Sequence, residues 1–498
     1  MQAQSKPPIF TEVDDCSVIA GFFRDAGYTE EGVQQRLKFG GLTAPSKKLP
    51  LMLRYTREGT LLDKLIRLFF LGVPLSIDAV QQMSLQPSRE FWEKTNLIEV
   101  RGGKVFPLVK LTACWDLLLA SDLPDEVRQG AHADFVMGPA NSSVLVAKMM
   151  MQGPFERILD IGTGCGVLAL LASRFGKRVF ATDKNERALA FTRFNALLNG
   201  INNVECLQGS LFEPVEERNF DLIISSPPYV ISPSSDFLFC DSGWRGDEFS
   251  KLLLQEAGSH LRLGGYCQII CNWGHQVDQN WREGLEGWFE GTGCDAIIWG
   301  GDTQDVAQYA ITWIQDTRAR NQQILESEFD RWMDYFAQQK IEAISYGVIA
   351  IRRREGSNWI RMEDTPSRYS EATGDDIQRR FLLQDYINEA DDSKLLGEAF
   401  CVVEDVHLKQ ELNPTDERME FVEARLQRTR GLIQYCTIDA NIAGLITRCN
   451  TRRSLGDILQ EMASSMNIHL EQLTPMAIET IRYLVRSGFL QPASLRKQ

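Results

Sequence analysis

The stretch "LDIGTGCGVLAL", residues 159–170, decides how the chain is read. It closes the apolar run "RILDI", which reads as a buried strand, and leads into "GVLALLASRFG" at 166–176, which reads as a helix closed by glycine. Gly162, Gly164 and Gly166 form the turn between them. Glycines at such a turn permit positive φ and let backbone N–H groups come close to a ligand. Alone, G-x-G-x-G is a weak signal. Asp183 strengthens it, because it ends the next strand, "RVFAT" at 178–182, about twenty residues on, where a carboxylate accepts the two hydroxyls of a ribose. A dinucleotide loop would read G-x-G-x-x-G and lay a pyrophosphate on the helix N-terminus. Asp160, just ahead of this loop, repels such a group and suits a cationic amino-acid moiety.

Working outward, the alternation continues. "KNERALAFTRFNALLNG" is a helix with an Asn-Gly cap, and "NVECLQ" and "DLIIS" are the third and fourth strands. "FSKLLLQEAGSHLRLGG" is helical, "YCQIICNW" a strand, "QNWREGLEGWFEG" a helix and "DAIIWG" a strand; after a helical insertion at about 303–340, "ISYGVIAIRR" is the last. Seven strands with interleaved helices over 133–355 predict an open, Rossmann-like α/β sheet.

The fourth strand runs into Ser226, Pro227, Pro228 and Tyr229. Proline cannot donate to a sheet ladder, so the pair ends the strand and stiffens its exit. The same residues suit a poor nucleophile, an amide or nucleobase NH2 whose lone pair is delocalised. The Pro227 carbonyl and the Ser226 hydroxyl can each accept an N–H bond from it, and Tyr229 can stack on the planar group.

Composition bounds the rest. A chain of 498 residues holds two to four domains, and 44% hydrophobic with 24% charged residues is ordinary globular usage. No apolar run is long enough to span a bilayer, and the start "MQAQSKPPIFTEVDD" lacks a basic region followed by an apolar one, so a soluble, cytoplasmic protein is expected. The eleven cysteines contain no C-x-x-C pair, and Cys267 and Cys271 on one strand sit roughly 13 Å apart. They read as free thiols, not metal ligands. A net charge of -14 disfavours broad nucleic-acid binding, though "KKLPLMLRYTR" at 47–57 is locally basic.

Residues 1–132 read as a mainly helical, winged-helix-like domain, with "TLLDKLIRLFFLG", "SIDAVQQMS" and "SREFWEKTNLIEV" as helices and a β wing around Gly102 and Gly103. Residues 356–498 read as an acidic α+β domain, again winged-helix-like at its end, where two amphipathic helices precede Gly488. Such modules without a basic face are expected to contact proteins.

The loop D-x-G-x-G-x-G with its distal acid resembles the S-adenosylmethionine site of class I methyltransferases. Ser226 to Tyr229 resemble the (N/D/S)-P-P-(Y/F) motif of amino-nitrogen methyltransferases. The resemblance implies S-adenosyl-L-methionine as cofactor, with Asp160, Gly162, Thr163, Gly164, Cys165 and Gly166 around its methionine part and Asp183, with Lys184 beside it, at the ribose. It implies adenine contacts from "LQGSLFE", where Ser210 replaces an Asp of many members and Leu211 and Phe212 pack on the purine. In "FVMGPANSS", Phe135 and Ser142 border the donor pocket, and Ser226, Pro227, Pro228 and Tyr229 hold the acceptor. The chain is similar to release-factor glutamine N5-methyltransferases and methyltransferase small domain proteins, and overall to large bacterial methyltransferases whose substrates are unassigned. The implied activity is methyl transfer to an amino or amide nitrogen of a glutamine-like protein side chain or an RNA base, with a protein partner for the terminal domains. A DNA exocyclic-amine or small-molecule methyltransferase and a noncatalytic cofactor-binding scaffold stand as alternatives. Secondary candidates are the charged loop of Asp241, Arg245, Asp247 and Glu248, which also suits a cap on the helix after 247, together with Trp244, Trp273 and a proton-accepting His275.

Overall fold

The runs 158–161 and 222–225 are buried on both faces, with one polar residue each, Asp160 and Ser225, and strands of that kind are stable where helices cover both sides of the sheet. The computed structural model describes residues 6–9, 13–42, 48–123, 133–234, 236–317, 322–364, 368–370, 373–414 and 419–496; Lys47 of the basic segment lies outside them. In it the strands β1 (Phe155–Ile161), β2 (Gly176–Asp183), β3 (Val204–Gln208), β4 (Phe220–Ser225), β5 (Leu261–Gln276), β6 (Cys294–Asp305), β7 (Ile341–Arg353) and β8 (Ile360–Asp364) form one sheet, ordered β8-β6-β7-β5-β4-β1-β2-β3. β1 to β5 are mutually parallel, and β7 runs antiparallel to β5 and β6.

All seven expected strands are present, and β8 adds an eighth beside β6. The sequence reading stops short of β8 because an edge strand lacks a buried face: each of its five residues is exposed or only half-buried. The expected insertion is a pair of helices, Val306–Thr317 and Gln322–Gln339.

Chain order reverses at β1, which lies between β2 and β4. Ligands bind in open α/β sheets outside the carboxyl ends of the strands at such a reversal. Ile161 and Ser225 are partners in the ladder, so the glycine turn and the Ser-Pro-Pro segment leave the sheet side by side. Ser225 Oγ reinforces the pairing by donating to the Ile161 carbonyl at 2.7 Å.

The helices α1 (Val167–Ala172), α2 (Glu186–Leu198) and α3 (Glu248–His260) follow β1, β2 and β4. One compact unit comprises residues 1–147 and 153–364, so the N-terminal segment belongs with the sheet; residues 148–152 and 365–498 form a second unit. In the N-terminal segment Leu75–Ser76 pairs with the hairpin Ile98–Arg101 and Lys104–Pro107, which turns at Gly102 and Gly103, both at positive φ. The helices Leu61–Leu65, Ile77–Gln81 and Arg89–Lys94 accompany it.

A buried hairpin, Lys110–Cys114 with Leu117–Ser121, follows. Its outer strand finds its hydrogen-bond partners on α2. Asn195 accepts from Ala120 N at 2.7 Å and donates to Ala120 O at 2.9 Å, and Asn199 does the same for Leu118 at 2.9 Å each way. Asparagines four apart face the same way on a helix, and here they finish a strand edge that would otherwise be buried unpaired.

In the second unit the helices Ala440–Arg448, Leu455–Met466 and Leu470–Arg486 precede Leu490–Pro492, which pairs with Phe400–Val402. Val406–Pro414, Met419–Arg428 and Tyr435–Ile438 form a separate three-stranded sheet. Asp376 is buried among Arg379, Arg380 and Arg428, and those charges hold its carboxyl down at about 2 against the cost of burial. No helix among the described residues is long and apolar enough to cross a membrane.

Asn195 also donates to Cys165 O at 2.8 Å. Asn195→Ala therefore strips partners from three buried backbone groups, and a loss of about 3 kcal/mol is expected at roughly 1 kcal/mol per group. Guanidinium unfolding reads this as a lower midpoint at constant slope; a wild-type midpoint would refute the clamp.

Candidate active site

The glycine turn is held by its neighbour strand. Gly162 N and Thr163 N both donate to Thr182 O, at 2.9 and 3.0 Å, and Gly166 N returns to Thr163 O at 2.8 Å. Gly162, Gly164 and Gly166 have φ of 69, 57 and 85°, a region costly for side chains that carry a Cβ. Gly166 has a packing reason too: a Cβ there would lie 2.9 Å from Leu170 Cδ1 and from Thr192 Cγ2.

Asp183 ends β2 with its carboxylate fixed by two backbone donors, Gly164 N at 3.0 Å and Asn185 N at 2.9 Å. Burial raises its pKa against their pull. Asp160 lies under the turn, 1% exposed, and Oδ2 accepts from Thr163 Oγ1 at 2.7 Å and Ala169 N at 3.0 Å. Its other oxygen is buried with no hydrogen-bond partner among the described residues. Burial, with a smaller push from the Asp183 charge, raises the Asp160 carboxyl to about 7.

Both strand ends open into one cavity. Its walls include Phe135, Gly162, Thr163, Gly164, Cys165, Asp183, Lys184, Ser210, Leu211, Ser226, Pro227 and Pro228 of the residues picked from sequence, together with Ser142. Asp160, Gly166, Phe212 and Tyr229 do not line it. Phe212 is 2% exposed and stacks on His260 at 4.2 Å, so Leu211, at φ +47°, faces the cavity in its place. Tyr229 is half-buried and meets Trp313 edge-on at 6.4 Å, and burial raises its pKa. Ser226 Oγ donates to Ser142 Oγ at 3.2 Å. The Pro227 carbonyl accepts no hydrogen bond among the described residues.

The secondary candidates divide. Trp244 lines the cavity, and Asp241 folds the loop, accepting from Ser232 Oγ at 2.7 Å and from Phe237 N at 3.2 Å. Asp247 accepts from Gly274 N at 2.8 Å and makes no side-chain cap on α3; Arg245 and Glu248 are exposed. Trp273 is buried in the core, and His275 stacks on Trp281 at 4.9 Å and bonds Ser345 Oγ at 2.9 Å, off the cavity wall.

Sequence reasoning missed Asn185 and Arg187. Asn185 caps α2 by accepting from Arg187 N at 3.0 Å and donates to Asp134 O at 2.9 Å; Arg187 pairs with Asp122 at 2.5 Å, and Asp122 accepts from Val136 N at 2.8 Å. Phe135 is thus pinned from both neighbours. The Asn ahead of an apolar periodic run was the available signal for Asn185.

A family model described as Methyltransferase small domain matches residues 139–292, which contain the glycine turn, Asp183 and the Ser-Pro-Pro-Tyr segment. A release factor glutamine methyltransferase of Aquifex aeolicus is 33% identical over 215 residues, covering 34% of this chain and 76% of that protein. The chain belongs to the class I S-adenosylmethionine-dependent methyltransferases. A release factor glutamine methyltransferase of Geobacter sulfurreducens is 30% identical to this methyltransferase over 185 residues, 33% of the chain and 63% of the relative, so the match leaves over a third of that relative uncovered. A ribosomal protein L11 methylase structure from Lactobacillus delbrueckii subsp. bulgaricus aligns at 20% identity and a TM-score of 0.26, covering 44% and 82% of the two chains. A second model, a domain of unknown function (DUF7782), matches residues 378–492 of the methyltransferase.

The raised Asp160 carboxyl makes the ligand-free methyltransferase pH-sensitive. A folded-state pKa of about 7 against an ordinary 3.8 means that the contribution is complete below pH 3.8 and is lost as pH rises through 7. Asp160→Asn mimics the protonated form. It is expected to leave thermal stability near wild type at pH 4 and to raise it by about 4 kcal/mol at pH 8; an equal change at both pH values would refute the assignment.

Proposed function

We propose that this protein transfers a methyl group from S-adenosylmethionine to the amide or amino nitrogen of a protein side chain, glutamine-like in its chemistry. The observation that carries the reading is the pairing of Ile161 with Ser225, which brings the glycine turn and the Ser-Pro-Pro segment to one cavity. Both relatives named above as release factor glutamine methyltransferases support a protein substrate, and so does the net charge of -14, which disfavours nucleic acid.

The residues fit the cofactor. Gly162, Thr163, Gly164 and Cys165 supply cavity wall for the methionine part, and Asp160, off that wall, holds the turn through Thr163 and Ala169. Asp183, already oriented by two backbone N–H groups, keeps lone pairs for the ribose hydroxyls. Leu211 and Phe135 supply apolar wall for the adenine, and the exposed Ser210 offers it one polar contact. When bound, S-adenosylmethionine supplies a methyl group already activated by a cationic sulfur.

Ser226 and Pro227 then have a task of orientation. Two N–H bonds, one to the Ser226 hydroxyl and one to the unpaired Pro227 carbonyl, hold an NH2 group with its lone pair turned into the cavity. No strong base is needed at the nitrogen, whose proton passes to water once the new N–C bond has made it acidic. Orientation and partial desolvation are the chain's main contributions.

Calorimetry with S-adenosylmethionine is expected to show binding by the wild type and roughly hundredfold weaker binding by Asp183→Ala, the loss of a charged acceptor for two hydroxyls; equal affinities would sink the ribose site. Transfer of labelled methyl to purified release factor and to an extract separated into protein, RNA and small molecules tests the acceptor. Label on protein amide nitrogen is expected, and label confined to RNA would overturn the protein reading.

A further inference from the structure

Serine is an ambiguous hydrogen-bonding residue, with one proton to give and two lone pairs to receive. A site that must hold an NH2 group by its two N–H bonds needs acceptors, and a free hydroxyl can turn its proton toward the ligand and repel an N–H. The neighbours of Ser226 remove that freedom. Ser226 Oγ gives its proton to Ser142 Oγ at 3.2 Å, from the helix Asn141–Met149, and both side chains line the cavity. With its proton directed away, Ser226 shows the cavity lone pairs alone, beside a Pro227 carbonyl that can only accept.

We propose that Ser142 is a positioning residue that makes Ser226 an obligate hydrogen-bond acceptor, so that the site selects a primary amide or amine over a hydroxyl. This rests on the nitrogen-methylation reading above. The selection follows from counting protons: an NH2 group satisfies both acceptors, whereas a hydroxyl or an already methylated nitrogen brings one proton and leaves one acceptor buried without a partner. The motif alone does not contain this property. It requires a second serine 84 residues away in sequence.

The test compares wild type, Ser142→Ala, Ser142→Thr, Ser226→Asn and the double variant Ser142→Ala/Ser226→Asn on whichever fraction, protein or RNA, the wild type labels. Calorimetry with S-adenosylmethionine monitors the fold of each, and kcat is read at saturating cofactor, so that a change in cofactor affinity at this shared cavity does not enter the comparison. Ser142→Ala should lower kcat roughly tenfold, and Ser142→Thr, which keeps the hydroxyl, should restore most of it. An asparagine at 226 carries an oxygen that is always an acceptor, so in that background losing Ser142 should cost less than about twofold. Mass spectrometry should find a single methyl on each labelled nitrogen. Wild-type kcat in Ser142→Ala, an equal loss in both backgrounds, or dimethylated nitrogen from the wild type would overturn the inference while leaving nitrogen methylation intact. No label at all, or label on oxygen, would overturn the nitrogen-methylation reading and this inference with it.

Discussion

The site depends on one register. Ile161 and Ser225 sit opposite each other in parallel strands, and the Ser225 hydroxyl reaches across to the Ile161 carbonyl. A slip of one residue would turn Ser225 and every apolar side chain of β4 to the other face of the sheet. All six residues of β4 are buried, so such a slip is opposed along the whole strand. What lies beyond the register, a glycine turn and a segment whose two prolines carry no N–H, is delivered to one place by core packing. The chemistry therefore inherits its precision from apolar residues that never meet a ligand.

The segment before the sheet is tied to the same region by polar groups. Asn195 holds the strand Leu117–Ser121 and the carbonyl of Cys165 together, and Arg187 with Asp122 steadies the backbone on either side of Phe135. These are buried polar contacts, expensive to leave half made. They make residues ahead of position 132 part of the cavity's frame, in one compact unit with the sheet.

Much of this was legible in the chain. Parallel strands buried on both faces read as unbroken apolar runs, and the glycines and prolines at their ends mark turns for steric reasons that hold in any context. The eighth strand was not legible, because its residues are exposed or half-exposed and its apolar signal is thin. Phe212 was misplaced onto the purine face because one positive φ, at Leu211, exchanges which of two adjacent apolar side chains faces the cavity. Asn195 carried no local signal at all, and Ser142, read only as a border of the donor pocket, carried none for its bond to Ser226. Their partners lie 75 and 84 residues away, and only the fold makes them neighbours.

Pro227 and Pro228 have a consequence apart from stiffness. Lacking N–H groups, they leave the end of β4 with carbonyls and no backbone donors until Tyr229. Together with Ser226, whose proton goes to Ser142, this leaves lone pairs facing the cavity at the strand end, while Asp183 and Lys184 place one charge of each sign on its walls. A glutamate differs from glutamine by one atom and is nearly the same shape, so sterics alone barely separate them. Its carboxylate would arrive without a proton to offer. On the proposed reading the strand end would thereby tell an amide from its own acid by leaving its acceptors without a proton, a discrimination that needs no dedicated charged residue.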